Sequence, residues 1–103
     1  MKVRFTNPQE IRMGSPYHVA DLILDGPWKP DLPDEEWQDL TAQSADGRYV
    51  GLVAWDTRNN TPGFKVYTID TLSKTVAQTD RIAGCCQQLE WKPGIVNFVW
   101  MIN

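Results

Sequence analysis

Five carboxylates stand close together in the stretch PDLPDEEWQDL, which runs from Pro30 to Leu40 and contains no lysine or arginine. They are Asp31, Asp34, Glu35, Glu36 and Asp39, and Trp37 lies among them. Carboxylates at this density could ligate a hard cation, act as a general acid and base, or meet the basic groups of a partner protein. The remaining interpretation is a solvated polar loop, which is what most runs of charge are.

The spacing of these acids does not favour a metal site or a catalytic pair. An EF-hand loop has a central glycine and a terminal glutamate at fixed positions, and that pattern is absent from the stretch. A pair of acids for glycoside hydrolysis is defined by its separation in space, and no recognisable motif flanks any pair in this chain. The sequence therefore predicts no metal, no cofactor and no enzymatic activity.

The other residues of catalytic type form no recognisable constellation. His18 is the only histidine, and the chain has no GxSxG elbow that would present a nucleophile to it. Cys85 and Cys86 are adjacent, so in a strand they point to opposite faces and cannot easily hold one metal. We expect His18 to be a partly buried strand residue, with one thiol in the core and the other nearer the surface.

The composition is that of one globular domain, residues 1–103. Hydrophobic residues make up 42% and aromatic residues 11%, which is enough to build a core. No apolar run approaches the roughly 18 residues needed to cross a bilayer. The first ten residues also contain no apolar region of a secretory signal. We therefore expect a soluble, cytoplasmic protein with no membrane partner, and reduced cysteines fit that compartment.

Charge is distributed unevenly along the chain, although the net charge is only −3. Residues 21–46 hold eight acids and one base, Lys29, a balance of −7, whereas the rest holds five acids and nine bases, a balance of +4. A nucleic-acid-binding protein would present a basic patch, so this distribution argues against nucleic acid as the partner. It favours a cationic partner.

Short extended runs separated by turn residues predict an antiparallel β meander. The predicted strands are Tyr17–Leu24, Arg48–Trp55, Phe64–Asp70, Thr75–Ile82, Cys86–Trp91 and Ile95–Ile102, with KVRF near the start and EIRM (Glu10 to Met13) as possible edge strands. The run RYVGLVAW is nearly all apolar, which is typical of a strand buried on both faces. The one helix candidate is a short turn beginning near Pro33.

From Ser44 onward the sequence resembles a blade of a β-propeller: SADGRYVGLVAWD, then GFKVYTIDTLSKTV, then RIAGCCQQLEWKPG, then VNFVW. One blade cannot bury its faces alone, and the chain has room for about two. The resemblance implies an all-β, half-propeller-like domain. In such a sheet Trp55, Trp91 and Trp100 are expected in the core.

A longer series also resembles a functional group of proteins: EIRMGSPYHVADLIL, GPWKPDLPDEEWQDL, SADGRYVGLVAWDTRNNTPGFKVYTID and RIAGCCQQLEWKPG. These segments are similar to small bacterial immunity proteins, which neutralise polymorphic toxins such as those of contact-dependent growth inhibition. The resemblance implies a tight inhibitor of one cognate toxin C-terminal domain in the cytoplasm. A basic nuclease is the expected target, with ribonuclease as the favoured class.

On that hypothesis the acidic stretch is the expected interface. The five carboxylates would meet basic toxin groups, and Trp37 and Trp28 would supply the apolar anchors that an interface needs. The alternative is a non-catalytic structural or accessory module that associates by sheet-edge pairing. An open sheet edge would also allow a homodimer.

Overall fold

The computed structural model describes residues 1–10, 17–92 and 98–102, which form nine β-strands and no helix. The strands are β1 (Lys2–Glu10), β2 (His18–Asp25), β3 (Glu36–Gln43), β4 (Tyr49–Trp55), β5 (Gly63–Asp70), β6 (Thr75–Gln78), β7 (Ile82–Ala83), β8 (Cys86–Trp91) and β9 (Phe98–Ile102). The prediction of an all-β antiparallel meander is confirmed. Residues 11–13 of the predicted edge strand EIRM and residues 95–97 of the predicted strand Ile95–Ile102 lie outside the described residues.

Seven strands form one sheet, in which β1 to β6 follow each other in chain order. β7 pairs with β5 on the same edge as β6, and β8 and β9 form a separate two-stranded sheet. One predicted strand, Thr75–Ile82, is thus divided into β6 and β7. The Thr79 hydroxyl accepts a hydrogen bond from the Val66 N–H at 3.0 Å, and this side-chain contact lies in the gap between the two strands.

The segment around Trp37 forms a strand, β3, where the sequence suggested a short helical turn. Residues 30–35 are irregular, and the strand begins at Glu36. In β3, Trp37 pairs with Ala54 of β4 and its indole packs in the core. Burial of the indole outweighs the local preference of proline and acidic residues for a helix N-terminus, because local preferences are small beside the burial of a large side chain.

β4 is buried on both faces, as its apolar sequence predicted. On one face, Val50, Leu52 and Ala54 join three neighbours in a cluster that we call the first core: Trp37, Val50, Leu52, Ala54, Tyr67 and Ile69. On the other face, Val53 belongs to the second core, which is made of Val53, Phe64, Val66, Cys86, Leu89 and Phe98. A strand with two buried faces needs a cover on each side of the sheet.

Each cover is a hairpin. β2 pairs with β3 only through Val19 and Ala20, after which the β1–β2 hairpin leaves the sheet. Its apolar side chains, among them Phe5 and Leu22, then pack against the first core. The β8–β9 hairpin covers the second core. The core placement predicted for the tryptophans is confirmed for Trp55, which is buried, whereas Trp91 and Trp100 are half-buried against the second core.

Gly51 sets how closely the β8–β9 hairpin can approach the sheet. A Cβ at this position would lie 2.9 Å from Cδ2 of Leu89 and 3.1 Å from Cδ1 of Phe98. Both distances are shorter than normal carbon–carbon contact. The glycine is therefore needed for close packing of the two layers and not for an unusual backbone conformation.

We expect Gly51→Ala to lower the free energy of unfolding by about 1–3 kcal/mol, because an added methyl group forces the hairpin away from the sheet. Gly26→Ala is the matched control, since a Cβ there lies 3.5 Å from its nearest neighbour. That control should change stability by less than about 0.5 kcal/mol. Urea unfolding measures both variants, and equal stabilities would contradict the close packing at Gly51.

Candidate functional site

The acidic segment, Pro30 to Leu40, lies at the place where the sheet opens. Its first part, residues 30–35, crosses from the end of β2 to the start of β3 as an irregular chain. Pro30 and Pro33 suit such a course because they have no N–H to give to a ladder. The result is an exposed connection held between two concave surfaces.

The first concave surface is an open groove of about 540 Å³, which we call the β2 groove. It is lined by Leu22, Ile23 and Leu24 of β2 on one side and by residues 29–34 on the other, with Trp37 at its base. It exists because β2 no longer pairs with β3 beyond Ala20. Apolar side chains and acids therefore share one opening.

The second concave surface, the carboxylate cleft, has a volume of about 400 Å³. Its lining includes Asp21, Glu35 and Glu36, with Asn7 and Gln9 from β1. The last ladder pair before the cleft is Ala20 with Trp37, so Asp21 and Glu36 would face each other at the next position. Like charges directly opposite each other destabilise strand pairing, which explains why the ladder ends there.

Four of the five predicted interface acids are exposed: Asp31, Asp34, Glu36 and Asp39. Within the part of the chain that the structure describes, the carboxylates of Asp31, Asp34 and Glu36 have no ion-pair or hydrogen-bond partner. The fourth exposed acid, Asp39, has a neighbour: its Oδ2 lies 3.5 Å from Nδ1 of His18. His18 is half-buried in β2, as its sequence predicted. The structure therefore leaves the three carboxylates unpaired, with Asp31 and Asp34 in the groove that Lys29 also lines and Glu36 in the cleft.

Glu35 differs from its neighbours because it is already compensated inside the protein. Its Oε2 lies 2.7 Å from Nζ of Lys65 and accepts a hydrogen bond of 2.6 Å from the Tyr67 hydroxyl. Only 15% of the Glu35 side chain and 21% of the Lys65 side chain are exposed. Burial, together with the bond to Glu35, raises the pKa of Tyr67 above its usual range. Glu35 is therefore a structural residue that ties the acidic segment to β5.

The two tryptophans predicted as anchors have different positions. Trp37 is only 7% exposed and packs edge-on against Tyr67, with ring centroids 5.1 Å apart. It belongs to the first core, and only a small part of its indole reaches the β2 groove, so it is not the exposed anchor that the sequence predicted. Trp28 is half-buried against the same core and lines a small surface pocket with Met1 and Thr71. Trp28 therefore remains reachable from outside.

The adjacent cysteines occupy different environments, as predicted. Cys86 is fully buried in the second core, whereas Cys85 is half-buried. Burial raises the pKa of the Cys86 thiol to about 11. Within residues 1–10, 17–92 and 98–102, no group of three or more His, Cys, Asp or Glu side chains is placed to hold a metal ion.

Asp21 is the site residue that the sequence did not single out. It counted toward the acidic excess, but it lies outside the acidic segment and belongs to a different strand. Continued by one position, the ladder register would place it opposite Glu36, and Asn7 Nδ2 donates to its Oδ2 at 3.0 Å. Asp21 could have been identified only by knowing that Glu36 begins a strand and that this strand pairs with β2.

Searches against protein-family models, curated proteins and solved structures found no match to this chain. None of the segments that the structure describes contains a helix long and apolar enough to cross a membrane.

We expect Glu35→Gln to lower the free energy of unfolding by about 1–3 kcal/mol, because it leaves the Lys65 ammonium largely buried without its counter-charge. The neighbouring variant Glu36→Gln should shift stability by less than about 0.5 kcal/mol, since Glu36 is exposed and unpaired. Combining Glu35→Gln with Lys65→Met should recover part of the loss. Equal effects of the two single variants in urea unfolding would refute the structural role of Glu35.

Thiol reactivity should separate the two cysteines. At pH 8 we expect an aromatic disulfide reagent to modify one thiol of the folded protein, Cys85, because Cys86 is buried and almost entirely protonated. Cys85→Ser should remove the fast reaction, and Cys86→Ser should leave it unchanged. Rapid modification of both thiols without denaturant would contradict the burial of Cys86.

Proposed function

We propose that this protein is an immunity protein that binds and neutralises a cognate toxin domain in the cytoplasm. The target is a nuclease with a basic active site, a ribonuclease being the favoured class. The protein covers that active site with an acidic surface made of Asp21, Asp31, Asp34 and Glu36. The likeness of the sequence to small immunity proteins supports the proposal, and the geometry of the carboxylate cleft is the observation that carries it.

The carboxylate cleft is suited to a cationic side chain of a partner. Asp21 and Glu36 stand on strands that separate where the two acids would meet. A lysine or arginine inserted between them would replace repulsion by two attractive contacts, and arginine could do so in bidentate fashion. A nuclease active site offers such groups because it binds phosphate through them.

The β2 groove supplies the apolar part that a tight interface requires. Leu22 and Leu24 line it beside Asp31 and Asp34, so apolar surface and acidic groups are within one footprint. Interfaces of high affinity combine a desolvated centre with charges at the rim, where the charges steer association. Trp28 follows β2 in the chain and offers a second apolar contact at its own small pocket.

A second candidate function is a non-catalytic module that lends a sheet edge to a larger assembly. All four residues of β6 are exposed, and β6 is an edge strand of the seven-stranded sheet. Such an edge can accept another strand through main-chain hydrogen bonds. Its binding would depend little on salt, which distinguishes it from docking through the acidic surface.

Reversing the charges of the acidic surface should slow toxin binding without unfolding the domain. For the triple variant Asp31→Lys, Asp34→Lys and Glu36→Lys, we expect the association rate constant to fall at least roughly ten-fold at low salt. The melting temperature should stay within a few degrees, because none of the three acids has a partner among the described residues. Protection of cells that express the toxin should be lost.

Glu90→Lys is the control for a general charge effect. Glu90 lies on β8, 3.2 Å from Nζ of Lys92, and does not line either concave surface. The Glu90→Lys variant should leave the association rate constant for the toxin nearly unchanged. Full protection by the triple variant would refute docking through the acidic surface, even if the protein still binds the toxin.

A further inference from the structure

Apart from its short length, the edge strand β6 has none of the usual protections against pairing with another strand. Its sequence, TVAQ, contains no charge and no proline, and all four residues are exposed. Native sheets commonly protect such edges with an inward-pointing charge, a proline or a bulge within the strand. Two apolar side chains are also exposed on this edge, Leu72 at 71% in the preceding turn and Val76 at 38%.

The outward-facing main-chain groups of β6 can be assigned from its pairing with β5. The Thr79 N–H donates to the Val66 carbonyl at 3.0 Å, so the peptide groups of Thr79 point toward β5. Because direction alternates along a strand, Ala77 and Thr75 also turn toward β5, and Val76 and Gln78 point away from it. Two residues of each β6 therefore offer a donor and an acceptor to solvent.

Charges at the two ends of β6 fix one register for a second copy. Lys74 precedes the strand and Asp80 follows it, both are exposed, and neither forms an ion pair within the described residues. If two copies of β6 pair antiparallel about a two-fold axis at Ala77, Val76 lies opposite Gln78 of the other copy. Lys74, the last residue of the turn before β6 (φ 57°), then lies at the end of the paired strands where Asp80 of the other copy follows β6, and symmetry gives this pair twice.

We propose that β6 is the interface of a homodimer, in which two copies pair antiparallel through this strand with Ala77 opposite Ala77. In this register Val76 of each copy lies opposite Gln78 of the other. Their outward N–H and C=O groups make four main-chain hydrogen bonds across the axis. Each Lys74 meets the Asp80 of the other copy. The two seven-stranded sheets become one continuous sheet.

The proposed pairing also brings the exposed apolar side chains of this edge, Leu72 and Val76, toward the other copy. The register that opposes Lys74 and Asp80 carries the turn containing Leu72 toward β7 of the other copy. The contact is nevertheless short, since β6 has only four residues. Interfaces of this size are at the weak end of specific association. We therefore expect a reversible dimer that depends on protein concentration, independent of the toxin-binding surface three strands away in the sheet.

Sedimentation velocity over roughly 5–500 μM, a range suited to a small interface, tests the proposal. We expect a monomer–dimer equilibrium. Lys74→Asp and Asp80→Lys should each weaken it roughly ten-fold, because each variant turns two attractive contacts into two repulsive ones. The double variant Lys74→Asp with Asp80→Lys should restore the dimer. Glu36→Lys, which changes the net charge as Asp80→Lys does, should leave the equilibrium unchanged.

Gln78→Pro tests the main-chain part of the interface. It removes one outward N–H per copy and no hydrogen bond to β5, so the variant should stay folded by circular dichroism and be monomeric. The proposal is overturned if the protein is monomeric throughout the concentration range. It is equally overturned if the dimer is unaffected by the charge reversals and by Gln78→Pro. Toxin capture by the monomeric variants should persist, so that failure of the dimer and failure of the immunity function are separate results.

Discussion

The burial of β4 on both faces is the constraint on which the rest of the structure depends. Val50, Leu52 and Ala54 face one side of the sheet, and Val53 faces the other, where Gly51 also lies under the β8–β9 hairpin. Burying one valine or leucine side chain contributes about 1.5–3 kcal/mol to stability, so neither face of β4 can be left in water. Each face is covered by a hairpin of the same chain. The β1–β2 hairpin and the β8–β9 hairpin serve that purpose.

The acidic surface is a consequence of how the first cover is made. β2 has to leave β3 after Ala20 in order to carry Leu22 and Phe5 over the first core. The departure opens both the β2 groove and the carboxylate cleft, and residues 30–35 bridge the gap. Asp21 and Glu36 flank the point of separation. Their repulsion favours an open cleft, and an added cation would relieve it.

The prediction from sequence was good where local pattern and burial agree, and it failed where they conflict. The run from Tyr49 to Trp55 is apolar at nearly every position, so its place at the centre of the sheet could be predicted. The strand β3 could not, because prolines and acids precede Trp37 and suggest a helical turn. Trp37 is held by contacts with Tyr67 and Ala54, which are distant in sequence. Without β3, the sequence predicts Trp37 as a surface anchor, whereas the strand places its indole in the core.

The acids illustrate the same limit at the level of single side chains. Five carboxylates close in sequence look equivalent, but Glu35 turns inward to Lys65 and Tyr67 while Asp31, Asp34 and Glu36 stay in water. Partners on β5 decide which acid becomes structural, and spacing along the acidic segment carries no information about them. Asp21 enters the cleft for the converse reason, since only strand register brings it to Glu36.

The most direct measurement is the rate at which the wild-type protein captures its candidate toxin, the C-terminal domain encoded by the adjacent upstream gene, as salt is varied. From about 20 to about 500 mM salt the Debye length falls from about 20 Å to about 4 Å, which screens charges on the protein surface. Docking through Asp21, Asp31, Asp34 and Glu36 requires tight capture with an association rate constant that falls at least roughly ten-fold over this range. Capture at a rate indifferent to salt, or no capture, would contradict neutralisation through the acidic surface.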